Sequence, residues 1–204
     1  MKRNIELNKS ELKARSDEYR ASNSSNKRKI IPAKLDVGCC FRKVEGYWGT
    51  DIYKFIGVDQ IFDHNKYPWP LPDNHFDEVR LWHIMQYLPD TDSTMKELWR
   101  VCKNKAKIII GVPYFMSTMA FGDRNKSFFN ENTFKAFTDD SWYHEQIETY
   151  TNNARFKIIY QELRTTGKWR KFIPFKGFFR YFFWNIIDEM EIHLVVIKNK
   201  PKNI

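Results

Sequence analysis

Two rhythms of apolar positions run along the chain. Short apolar runs bounded by glycine, proline or acidic residues recur at 29–37, 47–51, 61–63, 79–82, 107–112, 156–163 and 190–197. Their length and their punctuation predict β-strands. The last run alternates, with Ile192, Leu194 and Val196 against Glu191, His193 and Val195. Between the runs the spacing changes to three or four. Met95, Leu98, Trp99 and Cys102 predict a helix, with capping residues at Asp90–Ser93, and Lys103-Asn104-Lys105 reads as its polar stop. Thr133, Phe134 and Phe137 predict a second helix capped by Asn130. Phe175, Phe178, Phe179, Phe182 and Ile186 share one face of a third, which is expected to cover the sheet or a dimer contact. Strands alternating with helices, followed by a late strand pair, predict an α/β sheet with helices on both faces.

The organisation follows from composition. Residues 1–28 alternate in charge, carry few large apolar groups and end in the run Ser22-Asn23-Ser24-Ser25-Asn26. They read as an N-terminal arm, helical or flexible, ahead of one domain over 29–204. A chain of 204 residues with 42% hydrophobic and 29% charged residues suits a single core. No apolar run is long enough to span a bilayer and no signal-peptide core is present, which predicts a cytoplasmic protein. Cys39, Cys40 and Cys102 make neither a metal spacing nor an even disulfide framework. The formal net charge of +9 attracts phosphate-rich partners or an anionic membrane surface, though solubility alone is the plainer reading.

The candidate chemistry lies between Lys34 and Asp63. This stretch reads as a strand, a glycine turn at Gly38, a short connection, a second strand ending in Asp51, and a third ending in Asp63. Doubly wound sheets form nucleoside pockets at such strand ends. Asp51 is placed to accept from ribose hydroxyls, and Asp63 from an exocyclic amine such as that of adenine. Gly57-Val58-Asp59 repeats the pattern of Gly49-Thr50-Asp51 and competes for the ribose role. Asp59 is assigned to a strand start, because the first copy follows the glycine turn more closely. His83, after the fourth strand, is the histidine suited to proton transfer, although a packing role is the commoner fate of such a residue. There is no Gly-x-Gly-x-x-Gly cradle for a dinucleotide, no P-loop, and no histidine spacing that makes a metal site.

Several of these segments together resemble the class I S-adenosylmethionine-dependent methyltransferases, in particular the small type 11 group. LDVGCC (Leu35 to Cys40) resembles the family's first motif, and GTDI (Gly49 to Ile52) its ribose-binding second motif. PDNHFDEVRLWHIMQYLPD (Pro72 to Asp90) is similar to the stretch around its fourth strand, and MKELWRVCKNKAKIIIGVPYF (Met95 to Phe115) to its next helix and fifth strand. FFNENTFKAF (Phe128 to Phe137) and FIPFKGFFRYFFWN (Phe172 to Asn185) match more loosely. The resemblance implies a Rossmann-like seven-stranded sheet and methyl transfer from S-adenosylmethionine. It also implies that Asp36 and the Gly38 amide border the cofactor's amino-acid end, that Asp51 binds ribose and Asp63 adenine, that Trp82 takes part in binding the cofactor, and that the loop around His83 closes the pocket. The acceptor is expected to be a small molecule or a glycan. The alternatives are a non-catalytic binding protein of the same fold or an RNA methyltransferase, and a homodimer is an option. Two positions depart from the family: Cys40 stands where glycine is usual, and Lys103-Asn104-Lys105-Ala106 replaces a Lys-Pro-Gly-Gly turn.

Overall fold

The computed structural model describes residues 30–138, 154–167 and 170–198. The expected arm over 1–28 lies outside them, and the compact unit that holds the sheet begins at Pro32. Seven strands form one sheet: β1 (Lys34–Val37), β2 (Trp48–Asp51), β3 (Gln60–Ile61), β4 (Phe76–Trp82), β5 (Cys102–Pro113), β6 (Arg155–Arg164) and β7 (Glu189–Ile197). Their order is β3-β2-β1-β4-β5-β7-β6. The first five strands run parallel, while β7 lies antiparallel between β5 and β6. This is the Rossmann-like α/β sheet that the sequence predicts.

The core follows the strand pattern. Leu35, Val37, Val79, Leu81, Ile108, Ile110, Ile192 and Leu194 are fully buried along the central strands. Parallel neighbours buried on both faces read as continuous apolar runs, which accounts for the KIIIGV stretch in β5. Helix α1 (Thr91–Val101) joins β4 to β5. Asp90 caps it, accepting from the amides of Asp92 at 3.2 Å and Ser93 at 2.8 Å. Met95, Leu98 and Val101 face inward, and the Trp99 indole N–H donates to the Ile197 carbonyl at 3.0 Å.

Three local expectations change. The stretch Lys103-Asn104-Lys105 does not end the helix as a separate loop. It belongs to β5, where the pairing with β4 jumps from Phe76↔Cys102 to Glu78↔Lys107 and Lys105 takes a left-handed φ of 67°. The segment after Asn130 forms only a 3-10 turn over Thr133–Phe137. Its N-cap is Asn132, without a side-chain cap bond, rather than the expected Asn130, which accepts from the Thr133 amide at 3.1 Å from two residues further back.

The third change concerns the aromatic segment. Its α-helix among the described residues, α2 (Lys176–Phe179), is four residues long and buries none of them. Phe175, Phe178 and Phe182 are exposed rather than laid on the sheet. Pro174 lies just before α2 and Gly177, a poor helix former, lies within it, and the periodic face never gains the length that a stable helix requires.

The connection from β1 to β2 occupies only residues 38–47 and carries turns instead of a helix. Parallel strands ordinarily need a crossover of about a dozen residues or more. Here Gly38 and Gly46 both turn with positive φ, at 65° and 81°, and let the chain return within that span. One rim of the sheet is therefore built from backbone turns, and the site lies there.

Candidate active site

A cavity of about 910 Å³ opens at the carboxyl ends of β1, β2 and β4. β1 lies between β2 and β4, so this is the point where the strand order reverses, which is where open α/β sheets bind ligands. The size suits a nucleoside-bearing cofactor with room for a small second ligand.

The turn after β1 forms one wall. Gly38 takes φ 65°, and a Cβ there would stand 2.6 Å from Ile84 Cγ1, so neither the conformation nor the space admits a side chain. Two residues on, Cys40 also turns left-handed, at φ 51°. That conformation explains why glycine is usual at this position in the resembled family; cysteine adopts it here at a cost of about 1 kcal/mol. The Cys40 amide donates to Asp51 Oδ2 at 2.9 Å, and the Tyr53 amide donates to Oδ1 at 3.0 Å. Each carboxylate oxygen keeps lone-pair capacity, and Asp51 lines the cavity. Neighbouring Cys39 is buried beside Asp36 and Asp51. Burial and then those two carboxylates push its thiol up to about 12, so it stays protonated and is no nucleophile.

Of the other residues expected at the site, Gly38, Trp82 and His83 line the cavity, whereas Asp36 and Asp63 do not. Asp36 is buried but faces its register partner across the β1–β4 ladder, Arg80, whose Nη1 donates to it at 3.2 Å. Its other oxygen accepts from the Val44 amide at 3.0 Å. Burial raises its pKa above the ordinary carboxylate range, against the opposing pull of the Val44 amide and Arg80. Asp36 therefore braces the turn from behind. Asp63 folds back on its own loop, accepting from the Asn65 side chain at 2.8 Å and the Asn65 amide at 3.0 Å, and those bonds hold its carboxyl below the usual range. This local turn directs Asp63 outward.

The next residue points inward instead. His64 is buried and lines the cavity, and its Nε2 lies 3.0 Å from Thr50 Oγ1. Burial pushes its pKa down to about 4, so its ring is neutral near neutral pH. Trp82 ends β4 and lies over β5: a Cβ on Gly111 would stand 2.6 Å from the indole, so that glycine makes the space the ring occupies. The Arg80 guanidinium packs over the Trp82 ring, 4.9 Å from its centre.

His83 turns left-handed, at φ 55°, while its amide donates to the Gly111 carbonyl at 2.9 Å. Its Nε2 lies 2.9 Å from Glu189 Oε2. With Nε2–H donating to that carboxylate, Nδ1 is left as the acceptor. Glu189 reaches this place because it pairs with Pro113 at the start of β7. The far wall comes from the loop Asp123–Lys126. With Arg42 it gives the rim an excess of positive charge, from Arg42, Arg124 and Lys126. Among the described residues no cluster of ligating side chains could hold a metal ion.

Sequence reasoning missed His64, Arg80, Glu189 and the 123–126 loop. A signal existed for Arg80 alone: a cation inside an otherwise apolar strand needs an acid on a neighbouring strand.

No protein-family model and no curated protein matches the sequence. Solved structures do match the fold. An S-adenosylmethionine-dependent methyltransferase from Archaeoglobus fulgidus aligns over 90% of this chain and 92% of its own, with a TM-score of 0.54 at 18% identity. One from Mesorhizobium loti aligns over 81% and 91%, with a TM-score of 0.52 at 10% identity. The (4+2)-cyclase SpnF aligns over 84% and 78%, with a TM-score of 0.50 at 13% identity. The strand order and these alignments give the chain the class I S-adenosylmethionine-dependent methyltransferase fold.

Proposed function

We propose that this protein is a methyltransferase that takes its methyl group from S-adenosylmethionine and passes it to a small acceptor. The observation that carries this reading is Asp51, a carboxylate at the end of β2 with free lone pairs toward a cavity at the switch point, beside a turn that excludes a side chain at Gly38. That arrangement fits the cofactor: Asp51 would take the ribose hydroxyls, and the Gly38 turn would admit the amino-acid end. When bound, the cofactor supplies a methyl group activated by its sulfonium. The chain's own task is then to position the acceptor and exclude water. Trp82 and His64 wall the pocket, and Asp36 with Arg80 holds the turn from behind. His83 Nδ1 would accept the proton of an oxygen or nitrogen nucleophile, while Glu189 fixes the ring through Nε2. The cationic rim favours an acceptor with negative charge, a small molecule or an acidic glycan over a neutral one.

The test is calorimetric titration with S-adenosylmethionine and S-adenosylhomocysteine, on the wild type and on Asp51→Asn. The wild type should bind both, and the substitution should weaken S-adenosylhomocysteine by about tenfold or more, ~1.4 kcal/mol. A folded wild-type protein that binds neither would overturn the reading.

A further inference from the structure

The described segment 170–187 presents a surface that the chemistry above does not use. Phe172 is 86% exposed, Phe175 80%, Tyr181 65% and Phe182 64%. Their rings meet one another: Phe178 stands 5.0 Å from Phe182, and Phe179 5.9 Å from Phe183. The surface continues across the fold. Trp184 lies 5.2 Å from Phe121, which lies 5.0 Å from Phe128, and all three are exposed. Asn185 fastens the two stretches together: its amide donates to the Met116 carbonyl at 2.9 Å, and its side chain accepts from the Thr118 amide at 2.7 Å.

Local stability does not account for this. Phe175 holds a left-handed φ of 53° while almost fully exposed. An aromatic residue there is strained and gains no burial. Single exposed apolar residues are ordinary, but a linked group of this size marks a contact surface.

Charge narrows the occupant. From Thr165 to Ile187 the sequence has no acidic residue but carries Lys168, Arg170, Lys171, Lys176 and Arg180. Arg170 and Arg180 anchor the segment from outside it, through Asp188 and Glu131. The segment's own charge is therefore wholly positive. A symmetric pair of copies would set this basic surface against itself, on molecules that each carry +9. Single-stranded nucleic acid stacks on separate aromatic platforms, whereas these rings contact one another. No helix among the described residues is long and apolar enough to cross a membrane, so any engagement with a bilayer through them is superficial.

We propose that this aromatic and basic surface docks on an anionic lipid bilayer. The phenylalanines enter the headgroup boundary, and the positive charge of the segment favours anionic lipid headgroups. The inference is independent of the cofactor reading, because its test needs neither cofactor nor acceptor.

The test is co-sedimentation of the full chain with vesicles of phosphatidylcholine alone and of phosphatidylcholine mixed with phosphatidylglycerol. The wild type should sediment with the mixed vesicles, far less with the neutral ones, and be released by salt. Phe178→Ser with Phe182→Ser should weaken this binding by about a hundredfold. Both side chains are exposed, so circular dichroism and melting should match the wild type. Phe172→Ser offers a milder second variant with the same expected direction. A wild type that stays in the supernatant, or binds neutral and anionic vesicles equally, overturns the proposal. So does a homodimer dissolved by the same substitutions, or RNA retention in place of vesicle binding.

Discussion

Gly49-Thr50-Asp51 and Gly57-Val58-Asp59 are nearly the same tripeptide, yet they do different work. Gly49 has no positive φ, but a Cβ there would stand 2.5 Å from Lys43 Cδ and 2.8 Å from Cys39 Sγ. Gly57 has space around it, its nearest such contact being 3.9 Å, but adopts φ 95°. One glycine is needed for close approach and the other for backbone freedom. The acids diverge in the same way. Asp51 closes β2 and faces the cavity, whereas Asp59 turns back on the first copy. The Gly49 amide donates to Asp59 Oδ2 at 2.9 Å, and the Asp59 amide donates to the Gly49 carbonyl at 2.8 Å. Lys43 completes the clamp at 2.9 Å. The second copy is thus a brace for the first. Place in the sheet decides the role: β2 has a neighbour on each side, and β3 is its edge.

The strongest way to probe this difference is acid. Thr50, the middle residue of the first copy, contacts His64, while Val58 in the second has no such polar duty. The folded pKa of His64 is about 4 against an ordinary 6.5. Between those values the unfolded chain binds the proton and the folded one does not, so stability falls as pH falls through this window. The loss should reach about 3 kcal/mol at the low end. Denaturant titrations near about pH 7 and about pH 4 should show it in the wild type and not in His64→Gln. An equal acid loss in the variant would assign it to other groups.

Next in size is Asp59→Ala, which strips the Gly49 amide and Lys43 of their partner. It should lower stability by about 2 kcal/mol, read by chemical denaturation. Its folded fraction should still bind S-adenosylhomocysteine, the reverse of the pattern expected for Asp51→Asn. If a well-folded Asp59→Ala protein lost binding as fully as Asp51→Asn, the two acids would no longer be separable.

A smaller effect is expected at Gly57→Ala, about 1 kcal/mol of backbone strain in a thermal melt, with no clash to relieve. Smallest is Cys40→Gly, which should stabilise by about 0.5 kcal/mol by removing a side chain from a left-handed position. A melting temperature that drops instead would mean that the Cys40 side chain contributes packing at the cavity wall.

The sequence was most informative where geometry is local. Strand, glycine turn and terminal acid follow one another, so Gly38, Asp51 and His83 could be placed around one cavity from the order of residues, while Trp82 came only with the family resemblance. It was least informative where a side chain's direction depends on another strand. Asp36 faces Arg80 only because β4 pairs with β1 in that register. Asp63 and His64 exchange places because a turn of three residues points one outward and the other in. Glu189 meets His83 across 106 positions, and no spacing rule spans that distance. In the aromatic segment the periodicity was present, but α2, which starts just after Pro174 and carries Gly177 within it, spans only four residues, and the predicted buried face became a surface.

The place of β7 has a consequence for the chain's birth on the ribosome. Of the seven strands of the sheet it is made last, yet it fills the gap between β5 and β6. Until residues 189–197 emerge, the apolar edge of β5, with Ile108 and Ile110, has no partner, and β6 has nothing to join. The nascent protein thus carries an open, sticky strand edge from the completion of β5 until β7 emerges. Its yield in cells should therefore depend on chaperone supply and on the pace of decoding there more than on the equilibrium stability of the finished fold.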